Sequence, residues 1–383
     1  MSPQSKKEYL KSIAKRYRNA PKKDKSKILE EFCKVCGYHR KYAISKLNAL
    51  KKRSQSPPRK RGPKSRYQHP EILTALKEIW IATNLICSKR LKAALPLWIG
   101  FYQAEYGYLS IETLKKILQI SPATIDRILK PIKHLYRGKG RSATKPGLLL
   151  KHSIPIKTNQ WDESKPGFLE ADTVHHCGTS LAGLYAVTLD AVDIATTWTE
   201  QRATYGLGHR DILDQIKDIE SSLPFPILGF DSDNGHEFCN QPLLKYLTLR
   251  KVPVQFTRSR PYHKNDNAHV ESKNNTHVRQ WLGYRRFENP LIVPLLNDLY
   301  KKDWRLYHNF LIPSVKLLSK KRIASQIVKH HDQPKTPYQR ILESEAIPGK
   351  TKDQLKEVFK TLNPFKLKKT IDEKIAKIHA LAR

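Results

Sequence analysis

The sequence predicts an α/β core with all-α domains before it and a mainly helical region after it. Three observations predict this layout. Short apolar runs typical of strands alternate with amphipathic helices between residues 162 and 290, helical periodicity dominates the chain before that segment, and it returns after residue 291. The core would hold a five-stranded mixed sheet with helices on both faces. With 383 residues, the chain is long enough for roughly two to four domains.

The first all-α segment, residues 1–50, has the pattern of a helix-turn-helix DNA-binding domain. Apolar residues recur at helical spacing from Ile28 to Cys33, Gly37 interrupts the pattern, and helical spacing resumes from Tyr42. The second helix carries basic side chains that can reach phosphates and base edges of DNA. These residues are Arg40, Lys41 and Lys46. A plain helical hairpin with a solvated basic face would give the same pattern.

The second all-α segment, residues 67–136, ends in another candidate helix-turn-helix. Ser121 and Pro122 provide an N-cap and a first-turn proline for its last helix. We expect Arg127 to lie on the exposed side of that helix. The sequence therefore predicts a second DNA-binding domain in which Arg127 contacts DNA.

Two basic linkers separate these segments from each other and from the core. Residues 51–66 are rich in Lys, Arg, Ser and Pro and contain no apolar core-former, and residues 137–161 contain no acidic residue. Both compositions are typical of extended chain, which charge can hold against a polyanion. Arg61, in the first linker, is predicted to contact DNA.

The core is predicted from eight successive elements between residues 162 and 290. Runs of β-formers mark the strands, and apolar residues at helical spacing mark the helices. The predicted strands are 168–174, 184–189, 196–199, 225–233 and 252–256, and the predicted helices are 209–223, 243–249 and 268–282. The region after the core, residues 291–383, is basic and mainly helical, which suits either DNA binding or self-association.

Charge is unevenly distributed along the chain. The formal net charge is +36, from 71 Lys and Arg against 35 Asp and Glu, yet residues 162–256 contain 14 acidic and only 7 basic residues. A basic surplus of this size favours a polyanionic partner. No apolar run approaches the roughly 18 residues that span a bilayer, so we expect a nucleic acid as the partner and no membrane. Five scattered cysteines favour a reduced, cytoplasmic location. Because the helix-turn-helix segments make DNA the expected partner, we expect that location to be the nucleoid.

Three carboxylates are candidates for catalysis. Asp172 lies on the first predicted strand, Asp233 at the end of the fourth, and Glu271 one turn into the last helix of the core. Carboxylates on separate elements can converge on two divalent ions that clamp the attacking and leaving oxygens of a phosphoryl transfer. Hard oxygen ligands suit Mg²⁺ or Mn²⁺, with two ions per site. The sequence has no P-loop and no dinucleotide fingerprint, so no nucleotide cofactor is expected.

The residues around these carboxylates resemble the retroviral-integrase-like core of DDE transposases. The resemblance is carried by Ser-Asp-Asn-Gly-His-Glu-Phe at 232–238, Arg-Pro-Tyr at 260–262 and His-Val-Glu-Ser-Lys-Asn at 269–274, with 37 residues between Asp233 and Glu271. It covers residues 161–290, and the basic helical front is similar to that of bacterial insertion-sequence transposases. The resemblance implies an RNase H-like core and an enzyme that cuts DNA at the ends of a mobile element and joins the 3′-OH ends to target DNA.

The resemblance also implies roles for individual residues. Asp172 would bridge both metal ions, while Asp233 and Glu271 would each complete one. The loop after the last strand would shape the edge of the active site and touch the DNA end; a merely polar surface loop would have the same composition. Independently of the resemblance, Asn274 lies three residues after Glu271 on the same helical face, within reach of the metal ligands or DNA. The DNA contacts predicted in this region are Arg258, Arg260, Lys264 and Asn274. Because two element ends must be paired, we expect a dimer or higher oligomer on DNA.

Neighbouring residues offer alternative assignments. Asp231 shares a strand face with Asp233, and Glu170 shares one with Asp172, but the motif favours Asp172 and Asp233. The run His-His-Cys at 175–177 contains metal-ligating side chains, yet two adjacent histidines do not easily face one ion. We therefore expect no separate metal site there.

Two other functions fit the same sequence. One is a non-catalytic DNA-binding regulator derived from a transposase, and the other is an RNase H-like nuclease with no joining activity. The intact carboxylates argue against the regulator. The two candidate helix-turn-helix units argue against the nuclease, because non-specific cutting does not require them.

Overall fold

The computed structural model describes residues 1–49, 66–67, 69–136, 164–233, 235–259, 268–323 and 326–382. They belong to two compact units, Met1–Ser65 and Arg66–Arg383. Nearly all of the first predicted linker and the whole of the second lie outside the described residues, as do the predicted DNA contacts Arg61, Arg260 and Lys264. Within the described ranges, no helix combines the length and the apolarity that crossing a bilayer requires.

The first unit is built from α1 (Pro3–Asn19), α2 (Lys22–Cys36) and α3 (Arg40–Ala49). The break predicted at Gly37 is confirmed. This residue ends α2 with a φ of +65°, a conformation that suits glycine, and its N–H bonds to the carbonyl of Cys33. The three helices share a small apolar core. Its buried members are Ile13, Ala14, Ile28, Leu29, Phe32, Cys36, Ala43 and Leu47.

The second unit begins with four helices. They are α4 (Pro70–Ala82), α5 (Ser88–Tyr106), α6 (Ile111–Gln119) and α7 (Pro122–Lys133), followed by a 3₁₀ turn at His134–Tyr136. The N-cap predicted at Ser121 is confirmed, because its hydroxyl accepts a hydrogen bond of 3.2 Å from the backbone N–H of Thr124.

A five-stranded mixed sheet follows, as the sequence predicts. Its strands are β1 (Phe168–His175), β2 (Ala186–Asp193), β3 (Thr199–Tyr205), β4 (Gly229–Ser232) and β5 (Gln255–Arg258). Their order in the sheet is β3-β2-β1-β4-β5. Strand β2 runs antiparallel to its neighbours β1 and β3, and β4 pairs in parallel with both β1 and β5. Helix α8 (His209–Ser222) joins β3 to β4, and α9 (Gln241–Thr248) joins β4 to β5.

The sheet is covered on both faces. Every residue of β2 is buried, and successive side chains of a strand point to opposite faces. The third strand was predicted at 196–199 but begins at Thr199 and continues to Tyr205. The reason is the polar run Glu200-Gln201-Arg202, which resembles a loop in the sequence although all three side chains are buried.

The chain after the sheet is mainly helical. Helix α10 (Ala268–Lys273) continues through a π-helical turn (Asn274–Arg279) into α11 (Gln280–Leu282), which together match the predicted helix 268–282. The later helical elements are α12 (Ile292–Asp298), π-helical turns at Leu299–Trp304 and Tyr307–Leu311, α13 (Pro337–Glu343), α14 (Gly349–Thr361) and α15 (Pro364–Leu381).

One feature of this last region was not predicted. An antiparallel hairpin of β6 (Leu317–Ile323) and β7 (Gln326–His331) interrupts the helices and forms a sheet of its own. Its segment is rich in Lys, a residue depleted in strands, so the sequence pattern gave no strand signal.

The helices on either side of the sheet in the sequence share one core. Trp98 on α5 donates through its indole N–H to the carbonyl of Leu311 at 3.0 Å, and the Tyr307 hydroxyl donates to the carbonyl of Ala82 at 2.6 Å. One compact unit thus contains the described parts of three segments that were predicted as separate domains, 67–136, 162–290 and 291–383.

Candidate active site

The candidate site lies at one edge of the parallel part of the sheet. Strands β1 and β4 pair in register as far as Ala171 and Ser232. Asp172, on β1, and Asp233, directly after β4, are the next residues, so both carboxylates follow the end of the same ladder. The structure therefore brings these two predicted residues together.

Burial and like charge dominate the electrostatics of this pair. Burial, and next the charge of Asp233, raise the pKa of Asp172 to about 8. Burial, and next the charge of Glu237, raise the pKa of Asp233 to about 6. Asp233 loses its proton first, so the repulsion between the two falls on the later ionisation of Asp172. At neutral pH the pair resists carrying two negative charges.

Asn274 joins the helix after the sheet to this pair. Its side-chain Nδ2 donates to Oδ2 of Asp172 at 2.7 Å. Glu271 lies three residues earlier on α10, one turn away on the same side of the helix, and is exposed. Among the described His, Cys, Asp and Glu side chains, no three are grouped closely enough to hold a metal ion. Glu271 thus lies on the neighbouring helix and is not clustered with the two aspartates.

Glu170 fixes the start of that helix. Its Oε2 accepts hydrogen bonds from the backbone N–H groups of His269 at 3.0 Å and Val270 at 3.2 Å. The first N–H groups of a helix have no partner within the helix and attract negative charge. The side chain that was considered as a rival to Asp172 is therefore engaged in holding α10 against β1.

Asp231, the rival to Asp233, lies inside the sheet. It occupies a register position between Glu170 on β1 and Thr257 on β5. The Thr257 hydroxyl donates to Oδ1 of Asp231 at 2.5 Å, and the side chain is fully buried. Asp233 is two residues closer to the edge where Asp172 lies.

The donors at this edge suit a hard divalent cation. Asp172 and Asp233 are the oxygen ligands that would hold it, and its positive charge would offset the burial and the like-charge repulsion that raise their pKa values. In addition, Oδ1 of Asn274 is buried and accepts no hydrogen bond from any described residue. An amide oxygen without a hydrogen bond, on the residue that contacts Asp172, is a ligand type that suits Mg²⁺ or Mn²⁺.

Glu237 is a third acid at this edge that the sequence analysis did not single out. It is 7% exposed, and its Oε1 accepts a hydrogen bond of 2.9 Å from the hydroxyl of Thr173. Its position four residues after Asp233 was the available signal. The contact with Thr173, 64 residues earlier in the chain, cannot be read from the sequence.

The predicted DNA contacts of the first unit are on its surface. Arg40 is exposed and lies 3.9 Å from Glu30, and Lys41 and Lys46 are exposed. In the second unit, Arg127 is exposed on α7.

Arg258 differs from these surface residues. It is only 6% exposed, on β5, and therefore does not offer a surface side chain to DNA in this conformation. The prediction treated it as part of an exposed loop, but it is the last residue of a strand that pairs with β4. Asn274 is engaged with Asp172, which is the first of the two contacts considered for it.

His176 has a structural environment. It is fully buried, stacks on Phe287 with ring centroids 4.7 Å apart, and forms a hydrogen bond of 2.8 Å with the Thr188 hydroxyl. Burial lowers its pKa to about 3, so the ring is neutral.

The fold and the edge site define a protein with a five-stranded mixed sheet, helices packed with it, and two buried aspartates side by side. No protein-family model matches the sequence. The chain is 37% identical over 336 residues to Uncharacterized protein y4rM of Sinorhizobium fredii (strain NBRC 101917 / NGR234), an alignment that covers 87% of this chain and 94% of that protein. The chain belongs to the same family as y4rM.

Proposed function

We propose that the protein is a DDE-type DNA transposase with an RNase H-like core, which cuts DNA at the ends of a mobile element and joins the 3′-OH ends to target DNA. The observation that carries the proposal is the placement of Asp172 and Asp233 one residue beyond the end of the β1–β4 ladder, close enough for the charge of one to raise the pKa of the other. Two carboxylates held against their mutual repulsion are a recurring feature of sites that bind cations.

In this proposal, different residues at this edge of the sheet have different roles. Asp172 and Asp233 bind divalent metal, Asn274 orients Asp172 through its amide, and Glu271 approaches from α10, whose start Glu170 fixes. Two bound Mg²⁺ or Mn²⁺ ions would supply activation of the attacking hydroxyl and stabilisation of the leaving oxygen. The burial of both aspartates limits competing hydration, which strengthens their hold on a cation.

DNA binding is proposed for the basic helices. In this proposal α2–α3 and α6–α7 act as helix-turn-helix units that recognise terminal inverted repeats, with Arg40, Lys41 and Arg127 among the contacts. The net charge of +36 supports a strongly salt-dependent affinity. Self-association on DNA, to pair two element ends, and a location at the nucleoid belong to the same proposal.

The proposal is tested with purified protein, Mg²⁺ and a labelled duplex that ends in the inverted repeat found beside the gene, together with a plasmid target. We expect nicking at the element end followed by joined product. Asp172→Asn and Asp233→Asn should each lower the cleavage rate about a thousandfold, since metal ligands contribute several kcal/mol to such transition states and each 1.36 kcal/mol is tenfold.

Asp214→Asn is the matched control. Asp214 lies on α8 and pairs with Lys217 at the surface, so this variant should cleave at the wild-type rate. Binding without cutting would indicate a non-catalytic regulator, and cutting without joining would indicate a nuclease. Cleavage that persists in Asp172→Asn and Asp233→Asn would refute the assignment of this edge as the active site.

A further inference from the structure

The backbone ladder does not fix the distance between the two aspartates. Pairing of β1 with β4 ends at Ala171 and Ser232, one residue before Asp172 and Asp233. Beyond that point parallel strands are free to diverge, because no ladder hydrogen bond holds them. A site that needs both carboxylates requires another link between β1 and the turn after β4.

The side chain of Glu237 makes such a link. Its Oε1 accepts the 2.9 Å hydrogen bond from Thr173, the residue that follows Asp172 on β1. Glu237 itself lies in the turn that carries Asp233. The bond therefore joins the two chain segments just beyond the point where their ladder ends.

Hydrogen bonds connect the described residues of the turn that carries Glu237. Oδ1 of Asp233 accepts from the backbone N–H of Gly235 at 2.9 Å, and the carbonyl of Gly235 accepts from Phe238 at 3.2 Å and Cys239 at 2.9 Å. Phe238 is fully buried in the core of the unit. A change in the Thr173–Glu237 hydrogen bond would therefore shift the turn and, with it, the position of Asp233.

Glu237 is placed against a like charge. A Cβ built on Gly235 would lie 2.4 Å from Oε2 of Glu237 and 2.9 Å from Oδ1 of Asp233, so the two carboxylates flank this glycine closely. Among the described residues, neither Asp233 nor Glu237 forms an ion pair with Lys or Arg. The proximity of Glu237 is therefore unfavourable for ionised Asp233, and strain of this kind clusters at functional sites.

We propose that Glu237 is a positioning residue, which accepts the Thr173 hydrogen bond and so holds the Asp233 turn against β1, with both aspartates facing one divalent cation. This inference rests on the proposed function for the use of the cation. The hydrogen bond itself is a property of the metal-free protein and can be tested separately.

The test measures Mn²⁺ binding to the full-length protein by titration calorimetry, without DNA. Thr173→Val and Glu237→Ala each remove the bond, and each should weaken Mn²⁺ binding about tenfold, the equivalent of one net hydrogen bond. The double variant should be no weaker than the single variants, because both remove the same interaction. Glu237→Gln keeps an acceptor oxygen for Thr173, so we expect it to lose less than about threefold.

Thr204→Val is the matched control. Thr204 is a buried threonine on β3 of the same sheet, and its hydroxyl donates to the carbonyl of Gly206 at 2.8 Å, away from the aspartates. It should bind Mn²⁺ like the wild type. Wild-type affinity in Thr173→Val and Glu237→Ala, additive losses in the double variant, or a Gln variant as weak as the Ala variant would each overturn the positioning role.

Hydrogen exchange in the metal-free protein separates this proposal from the proposed function. The amides of Phe238 and Cys239, which bond within the turn, should exchange faster in Thr173→Val and Glu237→Ala than in the wild type and the Thr204→Val control. If exchange is faster in these two variants but the wild type neither binds Mn²⁺ nor cuts DNA, the structural role of the Thr173–Glu237 hydrogen bond stands and the proposed function is refuted. If the wild type cuts DNA but the two variants show unchanged hydrogen exchange and unchanged Mn²⁺ affinity, only the positioning role of Glu237 is refuted.

Discussion

Two regions of the same sheet bury acids and balance their charge differently. On β3, Glu200 is fully buried, but Arg202 lies 3.2 Å and Arg305 3.1 Å from its carboxylate oxygens. At the β1–β4 edge, Asp172 and Asp233 lie beside each other, and no described Lys or Arg pairs with either. The first cluster is balanced by the protein's own cations, while the second keeps a repulsion that an added cation would relieve.

The difference separates two roles for buried charge. An acid whose cations come from the chain itself contributes to holding the fold and becomes costly only when a partner is removed. An acid pair without cations weakens the folded state at neutral pH, and that weakness is a reason to expect a ligand. Substitutions in the two clusters should therefore change the stability of the protein in opposite directions.

The largest effect on stability is expected from the balanced cluster. Arg202 is fully buried and donates to Glu200, Asp218, Ser222 and the carbonyl of Gln201. Replacing it by Met leaves buried acceptors without their donor, so we expect Arg202→Met to lower the free energy of unfolding by about 3–5 kcal/mol, measured by urea denaturation.

The exposed pair on α8 provides the control for that measurement. Lys217 lies 3.1 Å from Asp214, with both side chains about half exposed or more. Lys217→Met should change the free energy of unfolding by less than about 1 kcal/mol. Equal losses in the two variants would show that burial of the Arg202 cluster has no special weight.

At the Asp172–Asp233 pair, removal of a charge should stabilise the folded protein at neutral and higher pH, whereas loss of Arg202 destabilises it. The pKa of Asp172 is about 8 in the folded protein and about 3.9 in an unfolded chain. Stability from this group is thus fully present below about pH 4 and is lost as the pH rises through about 8. Asp172→Asn cannot ionise, so without divalent ions it should lose less stability than the wild type between pH 5 and pH 8.5, by up to a few kcal/mol at about 1.4 kcal/mol per pKa unit.

Thermal unfolding with EDTA or with Mg²⁺ measures this difference. Mg²⁺ should raise the unfolding temperature of the wild type at pH 8.5 and leave that of Asp172→Asn nearly unchanged, because a ligand stabilises only the state that binds it. Parallel pH profiles for the two proteins would show that the repulsion at this edge does not influence folding.

The two clusters also differ in how far the sequence predicts them. Asp172 was identified on the first predicted strand, and Asp233 at the end of the fourth, within the motif at 232–238; strand patterns and motifs are both local signals. The strand that carries Glu200 and Arg202 was placed too early, because charged residues normally indicate a surface loop. The partners that permit their burial, Asp218 and Arg305, come from distant helical segments. Long-range compensation of charge leaves no mark in a short window of sequence.

The same limit explains Glu237. Its carboxylate is positioned by Thr173 on another strand, and the register of β1 with β4 that brings them together is a property of the folded sheet. Sequence periodicity predicts that strands exist and which face of each is buried. It does not predict where a parallel ladder ends, and here the candidate site begins at that point.

The smallest effect on the free energy of unfolding is expected at Glu170, a third buried acid in this sheet. Its side chain is 1% exposed and accepts hydrogen bonds from two N–H groups at the start of α10, where a helix N-terminus attracts negative charge. Glu170→Gln keeps an acceptor oxygen and loses only the charge. We expect it to lower the free energy of unfolding by about 1 kcal/mol and to speed hydrogen exchange at His269 and Val270.

Glu112→Gln, in the exposed first turn of α6, is the comparison for that variant and should leave the exchange of α10 unchanged. If Glu170→Gln were as damaging as Arg202→Met, Glu170 would belong with the acids that need a full cation. If it stabilised the metal-free protein as Asp172→Asn should, Glu170 would belong to the repelling group at the edge. An intermediate loss would mean that the charge of Glu170 stabilises the start of α10 and takes no part in the repulsion between Asp172 and Asp233.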